Sequence, residues 1–302
     1  MRILVLGGSG FVSSWLCKTA LARGYEVWAI TRGNRKISEG VHGLIADRND
    51  VEQLRSVLEK VNLTFDAVLD CICFNANQAE IDLNVFSAFS KHIIVISTDS
   101  VYHPCHKTVP QDEYGTGYME DGGYGALKRE MELAFVQDAG RRMAYTIFRP
   151  GHIYGAGSYL GCFPEQSRQP DLLEIIREGK PMRLVGGGEY LIHPIYAEDL
   201  VRVMLDCIGN EKTYNQIFCI GGPDVIRNRD YYEVIAELLG VSIQIETIDE
   251  DGYLEKYPQY SGHLCHRAYT LEKLAKTGIA LPDTRLYDGL KRHIEAIMAE
   301  GK

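Results

Sequence analysis

Tyr124 and Lys128 stand four residues apart in the run YGALK. Four residues is about one helical turn, so on a helix both side chains project from one face. A phenol of ordinary acidity is a poor base at neutral pH. An ammonium one turn away stabilises the phenolate and can also hold a ribose hydroxyl. Thr98, in the run STDSVY, adds a hydroxyl able to polarise a substrate oxygen. Together the three can take a proton from an alcohol while hydride leaves its carbon, or run the reverse. The same Tyr–Lys spacing is common on plain surface helices, so its meaning depends on what the chain places beside it.

A hydride needs an acceptor, and the first two dozen residues offer a place for one. Arg2 to Leu6 is dense in Ile, Leu and Val, as a buried strand of a parallel sheet would be. Gly7, Gly8 and Gly10 follow, and from Phe11 the apolar spacing becomes helical. Strand, glycine turn and helix in that order form the dinucleotide-binding fingerprint. Gly7 permits the tight turn and Gly10 the close approach of a pyrophosphate. The first helical amides, at Phe11 and Val12, meet that anion with the positive end of the helix dipole. Ser13 stands where a third glycine would be expected. An acidic residue after the second strand, EVWAI, would hold the ribose 2′-hydroxyl of NAD. The chain instead has Thr31 followed by three cations, Arg32, Arg35 and Lys36, and no carboxylate, which suits a 2′-phosphate. The cofactor expected is therefore NADP or NAD, with NADP favoured.

The elements that must position these residues alternate regularly. Strands are expected at 26–30, 42–46, 65–73, 91–96 and 143–148. Helices are expected at 51–61, 75–90 and from 119–124 to about 139. This is the pattern of an α/β, doubly wound parallel sheet. Thr98 follows the fifth strand directly, at the carboxyl edge where ligands of such sheets bind. Beyond Gly155 the periodicity loosens. Helices are expected near 171–178, 197–208, 229–239 and 287–299, and strands near 182–185, 216–220 and 242–246. We read residues 1–155 as the dinucleotide-binding domain and 156–302 as a smaller C-terminal substrate-binding lobe, partly interleaved with the sheet.

Bulk properties narrow the class. The 302 residues are 45% hydrophobic and 24% charged, with a net charge of −9. These values suit a globular enzyme and argue against nucleic acid or an anionic membrane as partner. No apolar run approaches membrane-spanning length, and the apolar N-terminus with its three glycines reads as phosphate-binding rather than as a leader. The eight cysteines form no CxxC pair and read as reduced thiols of a cytoplasmic protein. The runs HPCH at 103–106 and HLCH at 263–266 lack the spacing of a zinc module, so no metal is expected. Cys71 and Cys73 read as packing residues, and His193 as a structural, hydrogen-bonding histidine.

GGSGF, STDSVY, YGALK and RPGHIYG, in this order, resemble the extended short-chain dehydrogenase/reductases of the NAD-dependent epimerase/dehydratase group. The segment GGGEYLIHPIYAEDL is similar to a later family segment. The resemblance implies a Rossmann-type fold and a catalytic Thr98, Tyr124 and Lys128. It also implies a contact to adenine from Asp47, with Arg48 beside it, and nicotinamide contacts near Pro150 and Ile153. A homodimer joined by the helices at 75–90 and 119–139 is implied as well.

Two departures bear on the substrate. Family members that eliminate water from a sugar nucleotide carry Thr-Asp-Glu on the loop where this chain has Thr98, Asp99 and Ser100, so the carboxylate base is missing. Family members that hold a diphosphate have an arginine shortly before the segment matching His193-Pro194-Ile195. Here that region reads Glu189-Tyr190-Leu191-Ile192, which leaves Arg183, Arg227, Arg229 and Arg267 as replacements. The function expected is hydride transfer on a sugar, nucleotide-linked, by an NAD(P)-dependent epimerase or dehydratase-type enzyme. The alternatives are an NADPH-dependent ketoreductase acting on another carbonyl and a non-catalytic dinucleotide- or RNA-binding member. The TRG and ADR runs also resemble the side branch that contains chloroplast stem-loop RNA-binding proteins.

Overall fold

The computed structural model describes residues 1–115 and 117–299. The first half builds β1 (Arg2–Leu6), α1 (Phe11–Ala22), β2 (Glu26–Thr31), β3 (His42–Ile45), α2 (Val51–Val61), β4 (Ala67–Asp70) and α3 (Ala76–Phe86). It continues with β5 (His92–Ile96), α4 (Tyr124–Asp138) and β6 (Ala144–Pro150). After β7 (Ile153–Tyr154) come α5 (Leu172–Arg177), β8 (Met182–Val185), β9 (Leu191–Ile192), β10 (Ile195–Tyr196), α6 (Ala197–Asp206) and β11 (Gln216–Ile220). The chain ends through β12 (Ile226–Arg227), α7 (Asn228–Leu239), β13 (Ile245–Ile248), α8 (Glu250–Lys256), α9 (Glu272–Ala275) and α10 (Leu286–Ala299).

Seven strands form one parallel sheet in the order β11-β6-β5-β4-β1-β2-β3. The order reverses beside β1, so its carboxyl end opens a crevice between β1 and β4. Side chains alternate across the sheet with the strand period of two. Ile3, Val5, Leu69, Ile94 and Phe148 pack with α1 and α6 on one face. Leu4, Leu6, Val68, Ile93 and Ile147 pack with α2, α3 and α4 on the other. Burial on both faces is why these strands read as continuous apolar runs. The chain returns to the sheet late: β11 pairs with β6 and α6 packs with α1. A separate core, with Tyr154, Leu173, Tyr231, Tyr232 and Leu290 among its residues, holds the smaller lobe.

Differences from the expected boundaries have local causes. β4 stops at Asp70 instead of running to Cys73, because the Asp70 carboxylate accepts from the Ile72 amide at 2.6 Å and curls the chain. α3 starts after Asn75, whose side chain caps the Gln78 amide, and ends at Phe86 rather than near Ser90. β6 extends to Pro150, paired by β11 from Thr146 onward. The strand expected at 242–246 lies at Ile245–Ile248, in parallel register with β8.

Candidate active site

The β1–α1 turn is shaped by its glycines. Gly7 has φ of 113° and Gly8 of 51°, left-handed conformations that favour glycine. A Cβ on Gly8 would meet that of Ala29 at 2.8 Å. Gly10 has an ordinary φ of −83° and caps α1. Ser13 fills the place of the third glycine and turns its hydroxyl back to accept from the Gly10 amide at 3.0 Å. The turn borders a cavity of about 590 Å³, which is also lined by Thr31, Arg32, Arg35, Asp47 and Arg48. Phe11 and Val12 head α1 but line neither this cavity nor the neighbouring one.

Arg48 is committed internally. Its guanidinium donates to Asp70 at 2.9 Å, Asp82 at 2.7 Å and the Ile72 carbonyl at 2.8 Å. Its charge therefore serves the protein interior, and a ligand here meets only the rest of the residue. Asp70, Cys73 and Asp82 form the one group with metal-compatible ligands among the described residues. The Arg48 cation already spans both carboxylates, and burial pushes the Asp82 carboxyl well above the ordinary range.

A second cavity, of about 580 Å³, opens at the carboxyl ends of β5 and β6 and shares Phe74 with the first. Thr98, Tyr124 and Lys128 all line it, as do Pro150 and Ile153. Gly125 makes the convergence possible: a Cβ there would lie 2.1 Å from the Ser100 carbonyl oxygen. α4 thus seats directly on the short Asp99–Val101 turn. Thr98 and Tyr124 lie in the same cavity wall. Burial raises the Tyr124 phenol above its ordinary value and the Asp99 charge raises it further, while Thr98 and Arg168 pull the other way. Lys128 is 2% exposed and donates to the Cys73 and Ile96 carbonyls, both at 2.7 Å. Burial holds its ammonium below the ordinary value against the pull of Cys73 and Asp70.

Several residues that complete the site were not singled out by motif. Glu132, one turn beyond Lys128, accepts from Arg149 at 2.6 and 2.8 Å and from the Ser97 hydroxyl at 2.7 Å. This pair ties α4 to β6 behind the reacting groups. Its only sequence signal is the helical spacing to Lys128. Arg168 lines the cavity on an exposed loop, and no pattern announced it. Of the four candidate replacements for a diphosphate clamp, Arg183, Arg227 and Arg229 lie outside the cavity lining and are paired with Glu246, Asp230 and Glu233 respectively. Arg267 lines the cavity but is paired with Asp99 at 3.3 Å. His193 donates from Nε2 to the Gly222 carbonyl at 2.7 Å and accepts at Nδ1 from the Tyr269 amide. Cys71 borders the cavity with its thiol pushed well up by burial.

A glycine turn at a sheet crossover, joined to a Thr–Tyr–Lys site, defines a dinucleotide-binding α/β protein with the groups for acid–base work beside its crevice. Residues 3–221 match the model of the NAD dependent epimerase/dehydratase family, and the chain belongs to that family. Among solved structures it is similar to a UDP-glucose 4-epimerase from Thermotoga maritima bound to UDP-glucose, with a TM-score of 0.81 and 19% identity over the whole of both chains. Among curated relatives it is 24% identical to the chloroplastic divinyl chlorophyllide a 8-vinyl-reductase of Arabidopsis thaliana, over 82% of this chain and 61% of that protein. It thus spans about three fifths of that reductase's length. It is 23% identical to a UDP-N-acetyl-alpha-D-glucosaminuronate decarboxylase of Bacillus cytotoxicus, over 97% of each chain. No described helix is long and apolar enough to cross a membrane.

Proposed function

We propose that this enzyme moves a hydride between a nicotinamide dinucleotide, NADP in preference to NAD, and a hydroxyl-bearing carbon of a nucleotide-linked sugar. The observation that carries the reading is that Thr98, Tyr124 and Lys128 all line the second cavity, which shares Phe74 with the first. The glycine cradle, with no room for a Cβ at Gly8, fits a dinucleotide laid along the first cavity. A bound nicotinamide supplies the hydride or accepts it. Tyr124 gives a proton to the reacting oxygen or takes one from it. Thr98, in the same cavity wall, polarises the same oxygen. Lys128, anchored on two carbonyls, presents its third N–H to a ribose hydroxyl and its charge to the phenol. Arg32 and Arg35, exposed on the rim of the first cavity, suit a 2′-phosphate. A sugar nucleotide is the substrate class that the similar epimerase and decarboxylase support. Ser100 in place of a carboxylate argues for epimerisation or simple redox chemistry over loss of water.

Net reduction of another carbonyl is the second reading, favoured by one observation: Arg267, the one of the four candidate clamp arginines that lines the cavity, is held by Asp99. One experiment separates the readings: mass spectrometry of any nucleotide released when the fresh protein is denatured, followed by titration with NADPH and NADH. Tightly held oxidised cofactor is expected for an epimerase, and an empty site that prefers NADPH for a reductase. Binding of neither dinucleotide would overturn both.

A further inference from the structure

Glu132 follows Lys128 by one helical turn on α4 and is fully buried. Its Oε1 accepts from the Ser97 hydroxyl at 2.7 Å and from Arg149 Nε at 2.8 Å. Its Oε2 accepts from Arg149 Nη2 at 2.6 Å and from Arg129 Nη1 at 2.9 Å. Ser97 stands directly before Thr98, and Arg149 directly before Pro150. Ser97 is buried and held by its backbone as well, its amide donating to the Phe148 carbonyl at 2.7 Å. One residue earlier, the Ile96 carbonyl accepts from the Lys128 ammonium at 2.7 Å. The tip of β5 is thus bonded to α4 at two successive residues, from positions one helical turn apart. Thr98 comes next with its side chain set locally, since its hydroxyl oxygen accepts from the Ser100 amide at 3.2 Å. Where that oxygen sits beside the head of α4 is then decided by how the β5 tip is anchored.

A buried carboxylate–guanidinium pair adds little net stability over well-packed apolar side chains, because both charges lose their water. What it supplies is geometry, since a bidentate arginine fixes both carboxylate oxygens in one plane. We propose that Glu132 is a positioning residue of the proton-transfer site: squared by Arg149, it fixes the Ser97 hydroxyl and, through it, the place of Thr98 opposite Tyr124. The proposal rests on the assignment of Thr98 and Tyr124 as reacting groups. Glu132 itself lines neither cavity, whereas Ser97 and Thr98 line the second. Glu132 therefore reaches substrate only through its partners. Burial alone would raise its carboxyl, yet Arg149, Ser97 and Arg129 hold it below the ordinary value. It stays an acceptor on both oxygens, as its partners require; a proton on either would point a donor at an arginine.

Ser97→Ala removes the linking hydroxyl and leaves the Glu132–Arg149 pair intact. Glu132→Gln keeps the shape and removes the charge. Crystal structures of both variants should show Thr98 displaced against α4 by at least about 0.5 Å, the tolerance of a working site, with the β1–α1 turn unmoved. Thr98 in its parent place overturns the proposal. Glu132→Gln uncovers the buried Arg149 charge, so Ser97→Ala decides the case if Glu132→Gln does not fold. Rates supply the second readout, as hydride transfer from UDP-glucose to NADP followed by absorbance. Each variant should be at least about tenfold slower, with NADP affinity by calorimetry kept within about twofold. The double variant should be no slower than the slower single one, because both changes cut the same link. Additive losses overturn the proposal. So does a lower melting temperature with an unchanged rate per bound dinucleotide, the mark of a merely structural pair. A parent that moves no hydride from UDP-glucose counts against the nucleotide-sugar reading, and the displacement of Thr98 then decides this proposal by itself.

Discussion

Tyr124 and Lys128 share one helical turn but do different work, and their substitutions should separate. Tyr124 is half exposed at the head of α4, so removing its hydroxyl costs the fold little. Tyr124→Phe is expected to bind dinucleotide as the parent does and to lose turnover by a factor on the order of 10² to 10⁴, the loss typical of a missing acid/base. Unchanged turnover, measured by cofactor absorbance, would remove Tyr124 from the mechanism. Lys128 is buried, and its ammonium joins the turn after β4 to the end of β5 by way of the Cys73 and Ile96 carbonyls. Lys128→Met leaves both acceptors without that donor. At about 1–3 kcal/mol for each buried group left unpaired, a urea melt should show a clear loss of stability together with the loss of turnover. A variant as stable as the parent would mean that water replaces the ammonium between the two strands.

At the scale of elements, the site depends on how closely α4 approaches the turn after β5. Gly125 is the contact point, and a methyl group there would drive into the Ser100 carbonyl. Gly125→Ala should push α4, and Tyr124 with it, away from Thr98. Turnover is expected to fall at least about tenfold, since small misplacements of reacting groups cost up to 10²-fold, while dinucleotide affinity at the β1–α1 turn is kept. Equal loss of both, by calorimetric titration and rate, would point to general unfolding instead. The glycine turn, the bounds of α2 and the convergence of Thr98 with Tyr124 were all legible in the sequence, because each is written in residues close together or in strand–helix alternation. The pairing of Asp99 was not: its partners Arg267 and Tyr269 lie 168 and 170 residues further along the chain and carry no local pattern. The pairing of Arg48 was hidden for the same reason: Asp70 and Asp82, which hold its guanidinium, lie 22 and 34 residues further along the chain.

For the whole molecule, buried imidazoles make stability depend on pH in a defined window. His92, 1% exposed between β5 and β6, shares a hydrogen bond with Thr146 at 2.8 Å, and burial lowers its value from 6.5 to about 4. Burial and neighbouring cations, Arg168 foremost, bring His152 down to about 3; burial and Arg267 bring His263 to about 4. Each is neutral in the folded protein and takes up a proton more readily when unfolded. The stability linked to each is therefore complete above pH 6.5 and is lost as pH falls from there through the folded-state value. One pH unit below 6.5, each such group costs up to about 1.4 kcal/mol, so the three together cost up to about 4 kcal/mol. Asp82 runs in the opposite sense, since burial raises it and its folded form prefers the proton, which favours lower pH. A comparison that cancels Asp82 is needed: urea melts at pH 7.5 and 5.5 for the parent and for His92→Gln, which retains a hydrogen-bonding group for Thr146. The parent should lose more stability between the two pH values than the variant does, by about 1 kcal/mol. An identical loss in both would mean that His92 is protonated in the folded state, and that the sheet between β5 and β6 admits enough water to solvate a charge.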